Sequence, residues 1–102
     1  MTDRNGKYQP TGAALTARQV ELLIVLMEEA SEVVQACAKV LRFGNGDINP
    51  RTGVENTTEL SAEIGEFSTV RNMLEETGLL QRDIMLTAMK DKRVRLEKYL
   101  QT

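Results

Sequence analysis

Three stretches of the chain repeat apolar residues every three or four positions, which is the spacing of one face of an α-helix. The pattern predicts helices over about residues 16–43, 57–77 and 82–100. No stretch alternates apolar and polar residues in the way that a half-buried strand does. The sequence therefore predicts an all-α fold, a bundle of three main helices.

Local signals mark the ends of the first two predicted helices. Thr16, followed three residues later by Gln19, makes a capping box at the start of the first helix, and Gly44 ends that helix. Asn56 and Glu59 have the same relation at the start of the second helix. We therefore expect each of these helices to begin at a side-chain cap.

Length limits the chain to one domain, because two halves of a 102-residue chain would be too small to build separate cores. We expect residues 16–102 to form one helical domain. Residues 1–15 are mostly polar and contain Gly and Pro, so we expect a flexible segment there. Residues 44–56 are rich in turn formers and predict the loop between the first two helices.

The first predicted helix is long for a domain of this size. About 28 helical residues extend roughly 42 Å, whereas a compact chain of this length has a diameter of roughly 34 Å. Leu22, Ile24 and Val25 also widen the apolar surface of this helix beyond what two partner helices cover. We therefore expect the bundle to be completed in a homodimer or a homotetramer.

Composition narrows the chemistry that the chain can carry. The sequence contains no His, which excludes Ser–His and Cys–His nucleophiles and the usual zinc sites. The single Cys37, whose neighbours predict a buried thiol, cannot form an intrachain disulfide, which favours a cytoplasmic location. The apolar runs are too short to span a bilayer, so no membrane partner is expected. The net charge of −2 gives no bulk attraction to nucleic acid, which is therefore not an expected partner either.

Two pairs of acids lie three residues apart, Glu29 with Glu32 on the first helix and Glu63 with Glu66 on the second. Residues at this spacing share a helix face, and on an exposed helix such a pair is most often a solvated acidic surface. At about 100° per residue, however, Glu63 falls within the apolar stripe of its helix and Glu29 falls at the border of its own. Ionised carboxylates in such positions are unfavourable unless they are paired with bases or bound to a metal.

Basic residues gather on the third helix, where Lys92 follows the apolar stripe and Arg95 flanks it. A lysine in such a position often reaches past the edge of the core to water. Two further arrangements are open: a direct ion pair with the acids, or a metal held by the acids with an anion held by the bases. Oxygen ligands without His or Cys favour Mg²⁺ or Mn²⁺ over zinc. Because Mg²⁺ sites combine carboxylates with phosphates, the pattern predicts an interior acidic metal site able to hold a polyphosphate.

The two acid pairs and the basic third helix resemble those of the MazG-like all-α nucleoside triphosphate pyrophosphohydrolases, in particular the small variants often encoded by bacteriophages. The family carries E-x-x-E on one helix and E-x-x-D on the next. The matching sequences are EEASEVVQACAKVLRFG from Glu28, NTTELSAEIGEF from Asn56 and KDKRVRLEKYL from Lys90, which together span nearly all of residues 16–100. The chain has Glu66 where the family usually has Asp, and the gap between its two acid pairs is at the long end for the family.

The resemblance implies cleavage of a nucleoside triphosphate between its α and β phosphates, which gives the monophosphate and pyrophosphate. It implies that Mg²⁺ is the cofactor, with Mn²⁺ as an alternative. The residues that would hold the metal and carry catalysis are the four acids Glu29, Glu32, Glu63 and Glu66. The candidates for contacts with the substrate are Lys39, Arg42, Asn56, Lys92 and Arg95.

Two other functions fit the same residues. A phosphoribosyl-ATP pyrophosphatase shares the fold and the acidic helices, and a non-catalytic oligomerisation or nucleotide-sensing module would need only the helices. Lys39 and Arg42 lie on the polar side of their helix, where solvated bases are the ordinary outcome, and Asn56 suits a capping role. A glycine such as Gly65 destabilises a helix interior by about 1 kcal/mol. A close helix contact at the site would explain its presence, and an incidental glycine is the alternative. The resemblance makes the triphosphate pyrophosphohydrolase the first hypothesis.

Overall fold

The computed structural model describes residues 14–102 and consists of three α-helices. Helix α1 spans Ala17–Phe43, α2 spans Asn56–Glu76 and α3 spans Arg82–Tyr99. The part of the chain from residue 14 onward contains no strand. The predicted all-α fold is confirmed, and every helix end lies within about one residue of its predicted position, the usual uncertainty of helix boundaries. The predicted flexible segment lies almost entirely outside the described residues.

The start of α1 has the predicted capping box. The backbone N–H of Gln19 donates to Thr16 Oγ1 over 3.1 Å, and the backbone N–H of Thr16 donates to Gln19 Oε1 over 3.0 Å. The side-chain nitrogen of Gln19 also donates to the carbonyl oxygen and to Oγ1 of Thr77, each over 3.3 Å. Thr77 caps the end of α2, so α1 and α2 form an antiparallel hairpin whose open end is closed by these bonds.

The core lies between α1 and α2. Leu22 of α1 packs with Val70 and Leu74 of α2, and Leu74 is completely buried. Partly buried apolar residues surround this cluster: Leu23, Val25, Leu26, Met73, Leu79 and Leu80. Full burial of an aliphatic side chain stabilises a fold by about 1.5–3 kcal/mol, so this small cluster is what holds the hairpin together.

Helix α3 has no buried residue, although it carries the apolar positions that its periodicity assigns to a core face. Met85 and Leu96 are half-buried, whereas Leu86, Met89 and Val94 are each more than half exposed. The radius of gyration is 17.7 Å, and a compact chain of this length has a value near 13 Å. Within residues 14–102, the apolar face of α3 is therefore left without a cover.

The loop between α1 and α2 is held by its own backbone hydrogen bonds. The N–H of Asn49 donates to the carbonyl of Val54 over 2.9 Å, and the N–H of Asn56 donates to the carbonyl of Asp47 over 3.0 Å. Pairing of this kind folds the loop back on itself. Its side chains are thereby brought beside the end of α1 and the start of α2.

Cys37 is exposed, so the predicted burial of its thiol is wrong. The buried face of α1 passes through Leu22 and Ala36, and the neighbouring position turns out of it. None of the helices within residues 14–102 combines the length and the apolar character that crossing a membrane requires.

Candidate metal and phosphate site

Three of the four predicted acids meet between α1 and α2. Glu29 comes from α1 and Glu63 and Glu66 from α2, and one carboxylate oxygen of each lies within 4.8 Å of the other two. Glu29 and Glu63 are half-buried and Glu66 is exposed. Packing of the hairpin thus brings together acids that are far apart in the sequence, as the periodicity of the two helices predicts. We call these three residues the acidic cluster.

Two oxygens of the acidic cluster are buried and have no hydrogen-bond donor among residues 14–102, namely Oε2 of Glu29 and Oε2 of Glu63. Such oxygens are unfavourable, because they have lost their contact with water without gaining a partner. A cation held between the carboxylates would satisfy both of them. Because every donor atom is a carboxylate oxygen, the cluster suits a hard divalent ion such as Mg²⁺ or Mn²⁺.

The acids of the site also change one another's protonation. Burial, reinforced by the charges of Glu66 and Glu32, raises the pKa of Glu63 above its ordinary value. Burial likewise raises the pKa of Glu29, and the neighbouring Glu66 adds to the shift. Both directions are those expected where carboxylates crowd together without a counter-charge. A divalent cation would bind the ionised forms and displace the protons.

Glu32, the fourth predicted ligand, lies outside the acidic cluster and is exposed. It lines a neighbouring cavity of about 380 Å³, together with Glu63 and the bases Lys39 and Arg51. A cavity lined by both acids and bases suits an anion that carries a divalent cation. Arg51 was not among the predicted site residues, because only the fold of the loop brings it beside α1; its position in a Gly- and Pro-containing loop was the one signal in the sequence.

Glu59 has a different role from the predicted one. Its Oε1 accepts a hydrogen bond from Thr52 Oγ1 over 2.7 Å, and its Oε2 lies 3.7 Å from Lys39 Nζ. Donation by Thr52, helped by Asn49 and Lys39, lowers the pKa of Glu59 below its ordinary value. The carboxylate of Glu59 therefore connects α1, the loop and α2 beside the cavity, and the predicted capping box with Asn56 is wrong.

Asn56 is buried and is the first residue of α2, so it does not cap that helix. Its Nδ2 donates to the carbonyl of Gly44 over 3.3 Å. Gly44 ends α1 with a φ of 92°, a backbone conformation that glycine adopts without strain. In the single chain Asn56 thus joins the end of α1 to the start of α2, which is a structural role.

Three other bases that were candidates for substrate contacts are not among the residues that line this cavity. The guanidinium carbon of Arg42 lies 5.2 Å from the centre of the Phe43 ring, a cation–π contact. Lys92 and Arg95 are exposed on α3. The prediction that Lys92 faces the core is wrong for the single chain, because α3 buries none of its residues.

Gly65 lies between Glu63 and Glu66 on α2, where a close helix contact was one of two explanations for the glycine. A Cβ atom built on Gly65 would meet nothing within 4 Å in the described part of the chain. The described part of the single chain therefore has no close helix contact there, and nothing in the structure explains a glycine at this position.

Comparisons of the chain with known protein families, with curated proteins and with solved structures find no match. These comparisons therefore assign the chain to no family.

Proposed function

We propose that this protein is a Mg²⁺-dependent nucleoside triphosphate pyrophosphohydrolase of the MazG-like type, which converts a nucleoside or deoxynucleoside triphosphate to the monophosphate and pyrophosphate. The observation that carries the proposal is the acidic cluster, in which Glu29 and Glu63 each have a buried oxygen that meets no donor from residues 14–102. Solvated surface acids keep water on both oxygens, so a purely solvent-facing role for these residues is disfavoured. Because free nucleotides are found in the cytoplasm and the lone Cys37 rules out an intrachain disulfide, we expect the protein to act there.

The roles of the acids follow from where they lie. Glu29, Glu63 and Glu66 would hold the metal, with Mn²⁺ as an alternative to Mg²⁺. A Mg²⁺ ion held by these residues would neutralise phosphate charge and make the phosphorus atom more open to attack by water. Glu32 lines the cavity without belonging to the acidic cluster, so its carboxylate is free to accept the proton of the attacking water.

The bases of the cavity would hold the substrate. Lys39 and Arg51 line the same cavity as Glu32, and ammonium and guanidinium groups both bind phosphate oxygens. In the reaction the oxygen of water bonds to phosphorus, the anhydride bond between the α and β phosphates breaks, and the proton of the water passes to Glu32. The two bases would bind the oxygens of the departing pyrophosphate and hold it beside the acids.

We also propose that the chain works as a homodimer or a homotetramer. No other part of the described chain covers the apolar face of α3, and Lys92 and Arg95 are exposed on the same helix. A second copy would cover the apolar face, and the basic end of α3 complements the charge of the acidic cluster. Light scattering at micromolar concentration is expected to give two or four times the mass of the chain, and a monomer mass would contradict this part of the proposal.

A mixed substrate panel tests the function. Deoxynucleoside triphosphates, nucleoside triphosphates and phosphoribosyl-ATP are incubated separately with the protein and Mg²⁺, and released pyrophosphate is measured. We expect release from one or more free triphosphates and none in the presence of EDTA. Pyrophosphate release from phosphoribosyl-ATP alone would favour a phosphoribosyl-ATP pyrophosphatase. Nucleotide binding without pyrophosphate release would favour a nucleotide-sensing module.

A further inference from the structure

We propose that a second cavity, between the end of α1 and the loop that follows it, is the pocket for the base of the nucleotide. This inference rests on the proposed function, because it concerns the part of the same substrate that lies beyond the phosphates. The cavity is lined mainly by Phe43, Ile48, Pro50 and Asn56, and we call it the loop cavity. Its volume is about 530 Å³, which lies within the range of small-molecule pockets.

The loop cavity adjoins the cavity that would hold the phosphates. Lys39 lines both of them. Asn49 and Pro50 line the loop cavity, and the next two residues of the chain, Arg51 and Thr52, line the other. Neighbouring Cα atoms along the chain are only about 3.8 Å apart. A single nucleotide can therefore extend across both cavities, with its phosphates beside Lys39 and Arg51 and its base in the loop cavity.

The apolar lining of the loop cavity suits the flat faces of a base. Phe43, Ile48 and Pro50 supply this lining, and Phe43 is 54% exposed although it is aromatic. The guanidinium group of Arg42 lies over one face of the Phe43 ring, with its carbon 5.2 Å from the ring centre. The opposite face of the ring is the surface on which a base would stack, and aromatic side chains stack on every base because each has a π-face.

The polar side chains of the loop cavity suit the edge of a base better than a phosphate. The carboxylate of Asp47 repels phosphate oxygens but can accept a hydrogen bond from an N–H of a base. Asn49 and Asn56 add amide groups, which both donate and accept. Asn56 is 3% exposed, and its Nδ2 is bonded to the carbonyl of Gly44. Its Oδ1 accepts no hydrogen bond from residues 14–102, so this fixed amide can still accept one from a base.

The test compares a nucleotide with its phosphates alone, by titration calorimetry of the full chain with Mg²⁺. The probes are the α,β-methylene analogues of the four deoxynucleoside triphosphates, which cannot be cleaved between the α and β phosphates, and inorganic triphosphate, which has no base. We expect at least one analogue to bind about tenfold or more tightly than inorganic triphosphate. Phe43→Ala should weaken the binding of that analogue about 5- to 100-fold and leave the affinity for inorganic triphosphate unchanged.

Two further variants separate stacking from a general loss of structure. Phe43→Tyr keeps an aromatic ring, and we expect it to keep the wild-type affinity for the analogue. Leu41→Ala is the matched control, because Leu41 is an 88% exposed apolar residue of the same helical turn and does not line the loop cavity. It should change neither affinity.

Three results would overturn the base pocket alone while pyrophosphate is still released from triphosphates. They are equal affinities of the wild type for the analogues and inorganic triphosphate, wild-type affinity in Phe43→Ala, and a loss in Phe43→Tyr as large as that in Phe43→Ala. A change in the mass of the assembly in Phe43→Ala without a change in nucleotide affinity would also overturn it, because a second copy would then occupy the cavity.

The proposed function can fail separately. A wild-type chain whose binding of the analogue depends on Phe43, but which releases no pyrophosphate from any triphosphate, would overturn the proposed function alone. A chain that binds neither the analogues nor inorganic triphosphate would overturn both.

Discussion

Replacing Glu63 by glutamine is expected to stabilise the metal-free protein at neutral pH and to weaken its response to Mg²⁺. The substitution keeps the shape of the side chain but removes one of three charges whose oxygens lie within 4.8 Å of one another. Because the pKa of Glu63 is raised in the folded state, its ionisation favours the unfolded chain. The contribution of Glu63 to the free energy of unfolding is fully present below its ordinary pKa, and it is lost as the pH rises through the raised pKa. Glutamine, which does not ionise, removes that loss.

The size of the Mg²⁺ response follows from mass action. Free Mg²⁺ at about 100 times its Kd stabilises the folded chain by about 2.7 kcal/mol. For a chain of this length, that raises the midpoint of thermal unfolding by about 13 °C. Loss of an outer-shell partner of a metal weakens binding about 10- to 100-fold, and loss of a direct ligand should do at least as much. At the same Mg²⁺ concentration, the midpoint of thermal unfolding of Glu63→Gln should therefore rise by about 7 °C or less.

The assay is thermal unfolding followed by circular dichroism, with EDTA and then with Mg²⁺. Glu76→Gln is the matched control, because Glu76 is exposed near the far end of the same helix. In EDTA the midpoint of thermal unfolding of the wild type should decrease as the pH is raised from about 4 to about 7, and that of Glu63→Gln should decrease less. The lowered pKa of Glu59 acts in the opposite direction, but it is common to both chains and cancels in the comparison.

Two results would contradict this prediction. One is a midpoint of Glu63→Gln in EDTA at neutral pH that lies below that of the wild type, since crowding of charges would then not disfavour the folded state. The other is an undiminished Mg²⁺ response in Glu63→Gln, which would remove Glu63 from the metal site.

Substitutions at Gly65, Leu74 and Glu66 probe the fold and the site further. Gly65→Ala should raise the free energy of unfolding in urea by about 0.5–1 kcal/mol, because the added methyl group meets nothing within 4 Å and alanine favours the helix. Leu74→Ala should lower it by about 2–5 kcal/mol, whereas the half-exposed Leu100→Ala should change it by about 0.5 kcal/mol or less. In steady-state kinetics Glu66→Asp should keep the pyrophosphohydrolase rate, while Glu66→Gln should lower it about tenfold or more; wild-type turnover in Glu66→Gln would exclude Glu66 as a ligand.

The helices and the partial burial of two of the acids could be predicted because both depend on local rules. The capping box of Thr16 and Gln19 uses atoms three residues apart, so the sequence contains all of it. The partial burial of Glu29 and Glu63 follows from the helical period and the apolar residues around them. Each of these features needs no knowledge of how distant segments fold.

Features that depend on distant partners could not be predicted. Asn56 and Glu59 have the spacing of a capping box, but Asn56 bonds to the end of α1 and Glu59 bonds to Thr52 of the loop. Long-range contacts of this kind override a local preference, and no pattern in the sequence reveals that the loop folds back. The periodicity of α3 likewise identifies its apolar face but not what covers it, so the inward position expected for Lys92 is wrong in the single chain.

The most direct measurement of the central claim is ³¹P NMR of a deoxynucleoside triphosphate mixed with the protein and Mg²⁺. The signals of pyrophosphate and of the monophosphate should grow together in equal amounts, and Glu63→Gln should produce them at least about tenfold more slowly. Orthophosphate and a nucleoside diphosphate would place cleavage at the other anhydride bond. An unchanged spectrum from a protein that binds Mg²⁺ would mean that the acids hold a metal without catalysing hydrolysis, and either result would contradict a triphosphate pyrophosphohydrolase.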